Sequence, residues 1–387
     1  MNNNEAIGEL LTRTVSEVID RKHLEAALGS GKKLRVKLGI DPTGSKLHIG
    51  HAVVLRILRR FQNLGHTAVL IIGDTTALIG DPSGKNETRP PLTPEEIKKN
   101  FATYETQALK ILDQSKLEIR WQSEWFKNFN LTDVIREASK ISAGWITSHE
   151  TFRARIKEGQ PLALHELLYP LVQAYDSVAV KADIELGAMD QKFNLLTGRE
   201  LMKAHGLEPQ DIVLSNYLIG TDGQKMGKTL NNFIAVQEEP NQMFGKVMSV
   251  KDDLIIPYFE FATEVPMSEI KQLEKEAKSS PRETKLRLAS EIVSLYHGAK
   301  AAQAASKEWE KVFSNKEKPS EIEEISVAAQ NIVDVIVEAF LAASKSEAKR
   351  LIEQKGVKID DEVATEDSKV KSGSLVQVGK RKFIRIK

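Results

Sequence analysis

The stretch Leu34-Arg35-Val36-Lys37-Leu38-Gly39-Ile40-Asp41-Pro42-Thr43-Gly44-Ser45-Lys46-Leu47-His48-Ile49-Gly50-His51 joins an extended apolar run to a turn and a helix start. Leu34 to Ile40 reads as a strand that Asp41-Pro42 ends. Val53, Val54, Ile57, Leu58 and Phe61 then recur as one face of a helix, which Gly65 terminates. Ala68 to Ile72 is almost continuously apolar, as in a parallel strand covered on both faces. A strand–helix–strand unit of this kind predicts an α/β fold with a Rossmann-like doubly wound parallel sheet.

Outward from this unit, Ile7, Leu10, Leu11, Val15, Val18 and Ile19 recur at helical spacing and predict an opening amphipathic helix. Thr93-Pro94-Glu95-Glu96 is a capping box with proline at the first helical position. From about Asn231 the pattern is mostly helical and highly charged, and Asn315 to Glu324 reads as a linker. Beyond it, Ile332 to Leu341 is helical, Ser344 caps a second helix ended by Gly356, and short alternating strands follow. Basic residues outnumber acidic ones twelve to seven from Ala342 onward.

The 387 residues allow two or three domains. Lys plus Arg is 55 and Asp plus Glu is 54, so RNA affinity must come from a local patch. Without cysteine, disulfides, thiolate nucleophiles and Cys-ligated zinc are excluded. Met1 to Glu9 lacks a secretory core and no apolar run approaches a membrane span, so a cytoplasmic enzyme is expected.

Two motifs carry chemistry. His48 and His51 lie three apart at a strand–helix junction, where backbone donors and the helix dipole favour an anion. Gly50 lets a flat ring approach the backbone. Lys225-Met226-Gly227-Lys228-Thr229 places two ammonium groups in a short loop. It is not a P-loop, because Asp222 stands where the first glycine is required; Gly80 to Lys85 fails similarly at Ile79. Both sets suit phosphate oxygens, so together they suggest a divided site for a nucleoside triphosphate. Tyr169, Gln173 and Asp176, at i, i+4 and i+7, share a helix face among Leu164, Leu167, Leu168 and Leu171. Such a polar stripe lines a ligand or forms an internal hydrogen-bond network.

At these residues the chain resembles the class I aminoacyl-tRNA synthetases, whose signatures are of the His-Ile-Gly-His and Lys-Met-Ser-Lys-Ser types. Tyr169 to Asp176, Asp190-Gln191, Asp41-Pro42-Thr43 and Gly80 to Lys85 resemble the bacterial tyrosyl-tRNA synthetases in particular. The C-terminal region is similar to the alpha-L RNA-binding domain. The resemblance implies tyrosine activation by ATP to tyrosyl-adenylate and pyrophosphate, then transfer to tRNA(Tyr), by a homodimer.

It also implies three domains: a catalytic domain with a dimerisation segment over 1–232, an α-helical anticodon-recognition domain over 233–318, and a small α+β RNA-binding domain over 326–387. Asp81, Tyr169, Gln173 and Gln191 would hold the amino acid, with Asp176 accepting from the phenol. Gly39, Asp41, His48, Gly50, His51, Gly187, Asp190, Lys225, Met226 and Lys228 would bind ATP. Thr43, His48, His51, Lys85, Arg89, Lys225, Lys228 and Thr229 would stabilise the transition state. Mg²⁺ would arrive with ATP and no protein-caged metal is expected.

Lys345, Lys349, Arg350, Lys380, Arg381 and Lys382 are the candidates for tRNA phosphates. Three departures stand out: Lys37 replaces a common tyrosine, Ala188 replaces a glycine, and Gln122 replaces an asparagine. A tryptophan ligase of the same fold, a nucleotidyltransferase and a non-catalytic RNA-binding protein are the rival readings.

Overall fold

The computed structural model describes residues 3–42, 44, 46–83, 92–227, 232–313, 322–379 and 382–387. Thr43, Lys85, Arg89, Lys228, Thr229, Lys380 and Arg381 lie outside the described residues. The chain divides into two compact units, Met1–Ala302 and Gln303–Lys387.

The first unit is built on a six-stranded sheet. Its strands are β1 (Val15–Ile19), β2 (Arg35–Ile40), β3 (Thr67–Ile72), β4 (Leu117–Trp121), β5 (Ile184–Ala188) and β6 (Asp211–Ser215), in the order β1-β6-β5-β2-β3-β4. All neighbours are parallel except β1 and β6. Successive strands after β2 run one way across the sheet to β4, and β5 starts again on the other side of β2. The switch point therefore lies between β2 and β5, where an open α/β sheet forms a crevice at its carboxyl ends. Asp41 follows β2 there, and Asp190 and Gln191 follow β5.

The opening helix is shorter than the periodicity predicts. It covers Asn3–Leu10, and Val15–Ile19 is a strand paired antiparallel with β6. Thr14, at φ 64°, breaks the helix, and β-branched Val15, Val18 and Ile19 fit a sheet edge. The Thr93 capping box and its proline-led helix Pro94–Ala108 are as expected.

The helices Pro240–Met248, Ile255–Ala262, Met267–Ser279 and Pro281–His297 complete the first unit. Buried Arg56, on the Ile49–Asn63 helix, joins them to the sheet region through Ala262 O (3.1 Å), Tyr296 Oη (3.0 Å) and Glu264 (2.8 Å).

In the second unit β7 (Glu323–Ile325), β8 (Val357–Ile359), β9 (Glu362–Val363), β10 (Leu375–Val378) and β11 (Lys382–Ile386) form a sheet in the order β7-β11-β10-β8-β9. Part of the expected linker is thus strand, because Glu323–Ile325 pairs in parallel with β11. Helices Ile332–Glu338 and Lys345–Glu353 cover a core that includes Ile336, Ala348, Ile352, Val376 and Ile384. Among the described residues no helix is long and apolar enough to cross a membrane.

Candidate active site

His48 is the N-cap of the Ile49–Asn63 helix, and the two histidines cap it reciprocally. His48 Nδ1 accepts from His51 N–H, and His51 Nδ1 accepts from His48 N–H, both at 3.3 Å. Their rings stack with centroids 3.6 Å apart. His48 is buried and His51 exposed, so the pair presents one edge to the crevice. A Cβ on Gly50 would stand 2.9 Å from His48 Nδ1 and 3.2 Å from Met226 Sδ. The thioether of the lysine motif is therefore seated against the histidine motif.

Backbone hydrogen bonds hold the two motifs in that relation. Ile49 N–H donates to Ile234 O and Val236 N–H to Leu47 O, each at 2.9 Å. The lysine loop opens as a tight turn, with Ile219 bridged to Lys225 and Gly223 at φ 87°. Asn232 braces it by donating to Asp222 (2.8 Å) and Lys225 O (3.2 Å) and accepting from Gly227 N–H (2.9 Å). Lys225 extends over the Tyr217 ring at 4.6 Å and lies 3.7 Å from Asp190. Asp190 N–H donates to the Tyr217 hydroxyl at 2.6 Å. An exposed cation loosely paired with a carboxylate at the switch point can exchange that partner for a phosphate.

The helix Tyr169–Val180 brings Tyr169, Gln173 and Asp176 to one buried face. Of the four leucines expected around them, Leu171 is buried, but Leu164 is 77% exposed and lies in the segment before the helix. One continuous chain of hydrogen bonds runs from Tyr169 to Asp176. The Tyr169 hydroxyl donates to Asp41 Oδ2 (2.8 Å), and Thr76 Oγ1 lies 2.7 Å from Asp41 Oδ1. Gln122 Oε1 accepts from Thr76 N–H (2.9 Å), and Gln122 Nε2 donates to Asp176 Oδ2 (2.9 Å). Beside this chain, Gln191 Nε2 donates to Asp81 Oδ2 (2.9 Å), and Asn194 donates to Gln191 (3.1 Å).

Asp176 Oδ1 and Gln173 Oε1 are buried and lie outside the hydrogen bonds just described; the buried Trp125 indole N–H, also without a well-formed bond, sits beside the Asp176 carboxylate and helps hold it down. Buried acceptors are rarely left without a well-formed bond, and a ligand donor is a direct way to satisfy them. Burial pushes the Asp176 carboxyl up to about 7; the nearby Lys37 charge and the Gln122 hydrogen bond pull it down against that. Burial, followed by the charge of Asp41, also holds the Tyr169 hydroxyl well above its ordinary range. Lys37 itself is fully buried and does not reach the pocket as a phenol ligand. Its ammonium bonds to Glu185 (2.8 Å), Ser177 Oγ (2.8 Å) and Gln173 O (3.2 Å).

Residues 30–314 match the family described as tRNA synthetases class I (W and Y), and 330–376 match the S4 domain. The chain belongs to the class I tRNA synthetases. A protein named tyrosine–tRNA ligase from Thermotoga maritima is 48% identical over 98% of this chain and 96% of its own. Another of that name from Carboxydothermus hydrogenoformans is 46% identical over 98% and 97%. The fold is shared with a tyrosyl-tRNA synthetase from Archaeoglobus fulgidus solved with L-tyrosine, at TM-score 0.62 and 21% identity over 79% of this chain and all of that one. A truncated mitochondrial tyrosyl-tRNA synthetase from Aspergillus nidulans gives TM-score 0.68 at 21% identity, over 80% and 93%.

In this tRNA synthetase the structure gathers His48, His51, Gly50, Met226, Lys225 and Asp190 on one side. On the other it gathers Asp41, Asp81, Tyr169, Gln173, Asp176 and Gln191. Gly39 leaves open space where a Cβ would stand, while a Cβ on Gly187 would press Leu195 (3.0 Å) and Gln191 (3.2 Å). Gly187 therefore sets the packing of the next helix as well as the floor of the crevice.

Sequence reading noticed Gln122 only as a departure, yet it is the hub that orients Asp176. Thr76, Asn194, Asn232 and Tyr217 were missed altogether. Their types carry no signal alone, since they join the site from separate strand ends and loops. Of the basic residues expected at tRNA, Lys345 bonds to Asp334 and Lys349 to Glu366, both at 2.7 Å and in water. Lys382 donates to Leu341 O at 2.9 Å, and Arg350 is exposed.

Proposed function

We propose that this chain is a tyrosine–tRNA ligase. The observation that carries this reading is the Asp176 carboxylate, buried at the end of an ordered hydrogen-bond chain with its Oδ1 lacking a well-formed bond. A phenol hydroxyl satisfies it; a phenyl ring leaves it unpaired, and an indole has no donor at that place. Asp81, Tyr169, Gln173 and Gln191 then face the substrate's ammonium and carboxylate ends.

In the first step a tyrosine carboxylate oxygen attacks the α-phosphorus of ATP. A new P–O bond forms, the bond to the β-phosphate bridge breaks, and pyrophosphate leaves with the electron pair. The carboxylate is already ionised, so no protein nucleophile or general base is needed. His48, His51 and Lys225 support the phosphates, and by resemblance Thr43, Lys85, Arg89, Lys228 and Thr229 join them. Mg²⁺ enters as part of the nucleotide substrate. In the second step a terminal ribose hydroxyl of the tRNA attacks the carbonyl carbon; the ester C–O bond forms, the acyl C–O bond to the phosphate breaks, AMP leaves with the electron pair, and the hydroxyl proton passes to the departing phosphate or to water. We assign catalysis to 1–232, anticodon recognition to 233–318 and further RNA contact to 326–387, and place the activity in the cytoplasm.

Amino-acid-dependent ATP–pyrophosphate exchange without tRNA tests the reading. Exchange with tyrosine and neither phenylalanine nor tryptophan supports it. Exchange with tryptophan would keep the mechanism and overturn the specificity, and no exchange would leave only an RNA-binding protein. Gly50→Ala is expected to slow exchange by roughly tenfold, because its Cβ must push His48 and Met226 away from the positions they hold. Its melting midpoint should hold, since alanine suits the first helical turn better than glycine.

We also assign this enzyme a dimer interface on the helix Leu131–Ala138. Leu131 and Ile135 are 75% and 60% exposed on one face, while Glu137 turns inward to Lys140 (2.8 Å) and His205 (2.7 Å). Its apolar side therefore faces out, which suits a second copy of the chain, and Ile156 and Leu164 later in the same region are exposed too. Ile135→Glu is expected to halve the mass measured by sedimentation. A parent protein that sediments as a monomer would remove the assignment.

A further inference from the structure

Phe340 is 91% exposed, more than any other large apolar side chain described. It also sits at φ 56°, in the left-handed region where a bulky side chain is strained and glycine is not. The local fold explains the backbone conformation. Ala339 caps the helix Ile332–Glu338, and Phe340 N–H returns to Val337 O at 3.0 Å. Leu341 and Ala342 N–H then close on Ile336 O at 2.8 and 3.0 Å. A helix end of this form calls for a left-handed residue, for which glycine is the least strained choice.

Nothing in the fold explains the ring. It gains no burial, adds strain, and leaves an apolar face in water. An outlier retained against both costs points to a contact outside the unit. The chemistry beside it is cationic. Lys382 Nζ is fixed on Leu341 O (2.9 Å), one residue along, and this ammonium forms no ion pair among the described residues. A flat apolar face next to a fixed cation matches an unstacked base and its phosphate better than an apolar protein surface.

We propose that Phe340 is a stacking platform for an unpaired nucleobase of the tRNA, with Lys382 on the adjoining phosphate. The proposal rests on the tRNA-charging reading above. Its test compares Phe340→Ala, Phe340→Leu and Phe340→Trp in the full-length enzyme. Alanine and leucine are expected to raise the KM for tRNA about tenfold, and tryptophan to restore it. Tyrosine-dependent pyrophosphate exchange should not change in any of them. The alanine variant should melt close to the parent, because the ring it loses is unburied and alanine keeps the same Cβ at the left-handed position.

Leucine rescuing as well as tryptophan would overturn stacking. A lower melting midpoint with unchanged KM would assign Phe340 to folding instead. If the parent charges tRNA and alanine leaves its KM unchanged, this inference falls while the function stands. A parent that charges no tRNA with tyrosine would remove both.

Discussion

Asp176→Ala is expected to lower kcat/KM for tyrosine by roughly two to three orders of magnitude, about 3–4 kcal/mol for losing one partner of a buried charge-assisted hydrogen bond. The phenol would lose its acceptor, and Gln122 Nε2 would lose the oxygen that fixes it. Selection against phenylalanine should narrow in the same assay, since phenylalanine has no hydroxyl to lose. A variant that keeps its preference for tyrosine would move phenol recognition to another group. The pH profile gives a second readout. Burial raises the Asp176 carboxyl to about 7, so the anionic acceptor is lost as pH falls through that value. The kcat/KM for tyrosine, which reports the free enzyme, should therefore decline on the acid side of about 7. Asp176→Asn should abolish that limb.

The sheet and the nucleotide motifs were legible because their signals are local. The apolar runs Arg35–Ile40 and Thr67–Ile72 can only be buried strands once the amphipathic helix between them is placed. The Tyr169 face follows from helical spacing, and the Thr93 box from four adjacent residues. What failed depends on partners far along the chain. Val15–Ile19 has helical spacing, but β6 offers it a sheet edge nearly two hundred residues later. Leu164 looks like core in a linear reading and lies exposed, because burial depends on which way a segment turns. Gln122 links two loops and a helix, so its type alone cannot announce its role. Lys37 shows the same limit: in the sequence it is only a departure from a common tyrosine, and its ion pair with Glu185 and bond to Ser177 appear only in the fold.

Lys37→Met is expected to destabilise the first unit by about 3–5 kcal/mol, measured as a lower denaturant midpoint at neutral pH. The expected loss comes from stranding Glu185, which is almost wholly buried, without its cation. Attraction between the two charges need not exceed their desolvation for this to hold. Breaking such a pair costs far more than removing both charges, so Lys37→Met with Glu185→Gln should recover most of the stability. Glutamine can also keep the hydrogen bond from Ser177 Oγ, now 3.2 Å from Glu185 Oε2. If the double variant is no more stable than the single one, Lys37 acts through packing rather than charge.

The catalytic consequence is separable. Lys37 pulls the Asp176 carboxyl down against burial, so its removal alone should move the acid limb of kcat/KM further above 7; in the double variant the shift should be smaller, because the Glu185 charge that pushes Asp176 up is removed as well. The raised carboxyl also sets the direction of the stability change with pH. Folded Asp176 holds its proton up to about 7, whereas the unfolded chain releases it near 3.8. Its contribution is full below the lower value and is lost as pH rises to the upper one. Without Lys37 that window extends upward, so the part of the Lys37→Met penalty due to Asp176 should grow from pH 6 to pH 8. An enzyme whose acid limb stays in place while its midpoint drops would confine Lys37 to the structural pair with Glu185.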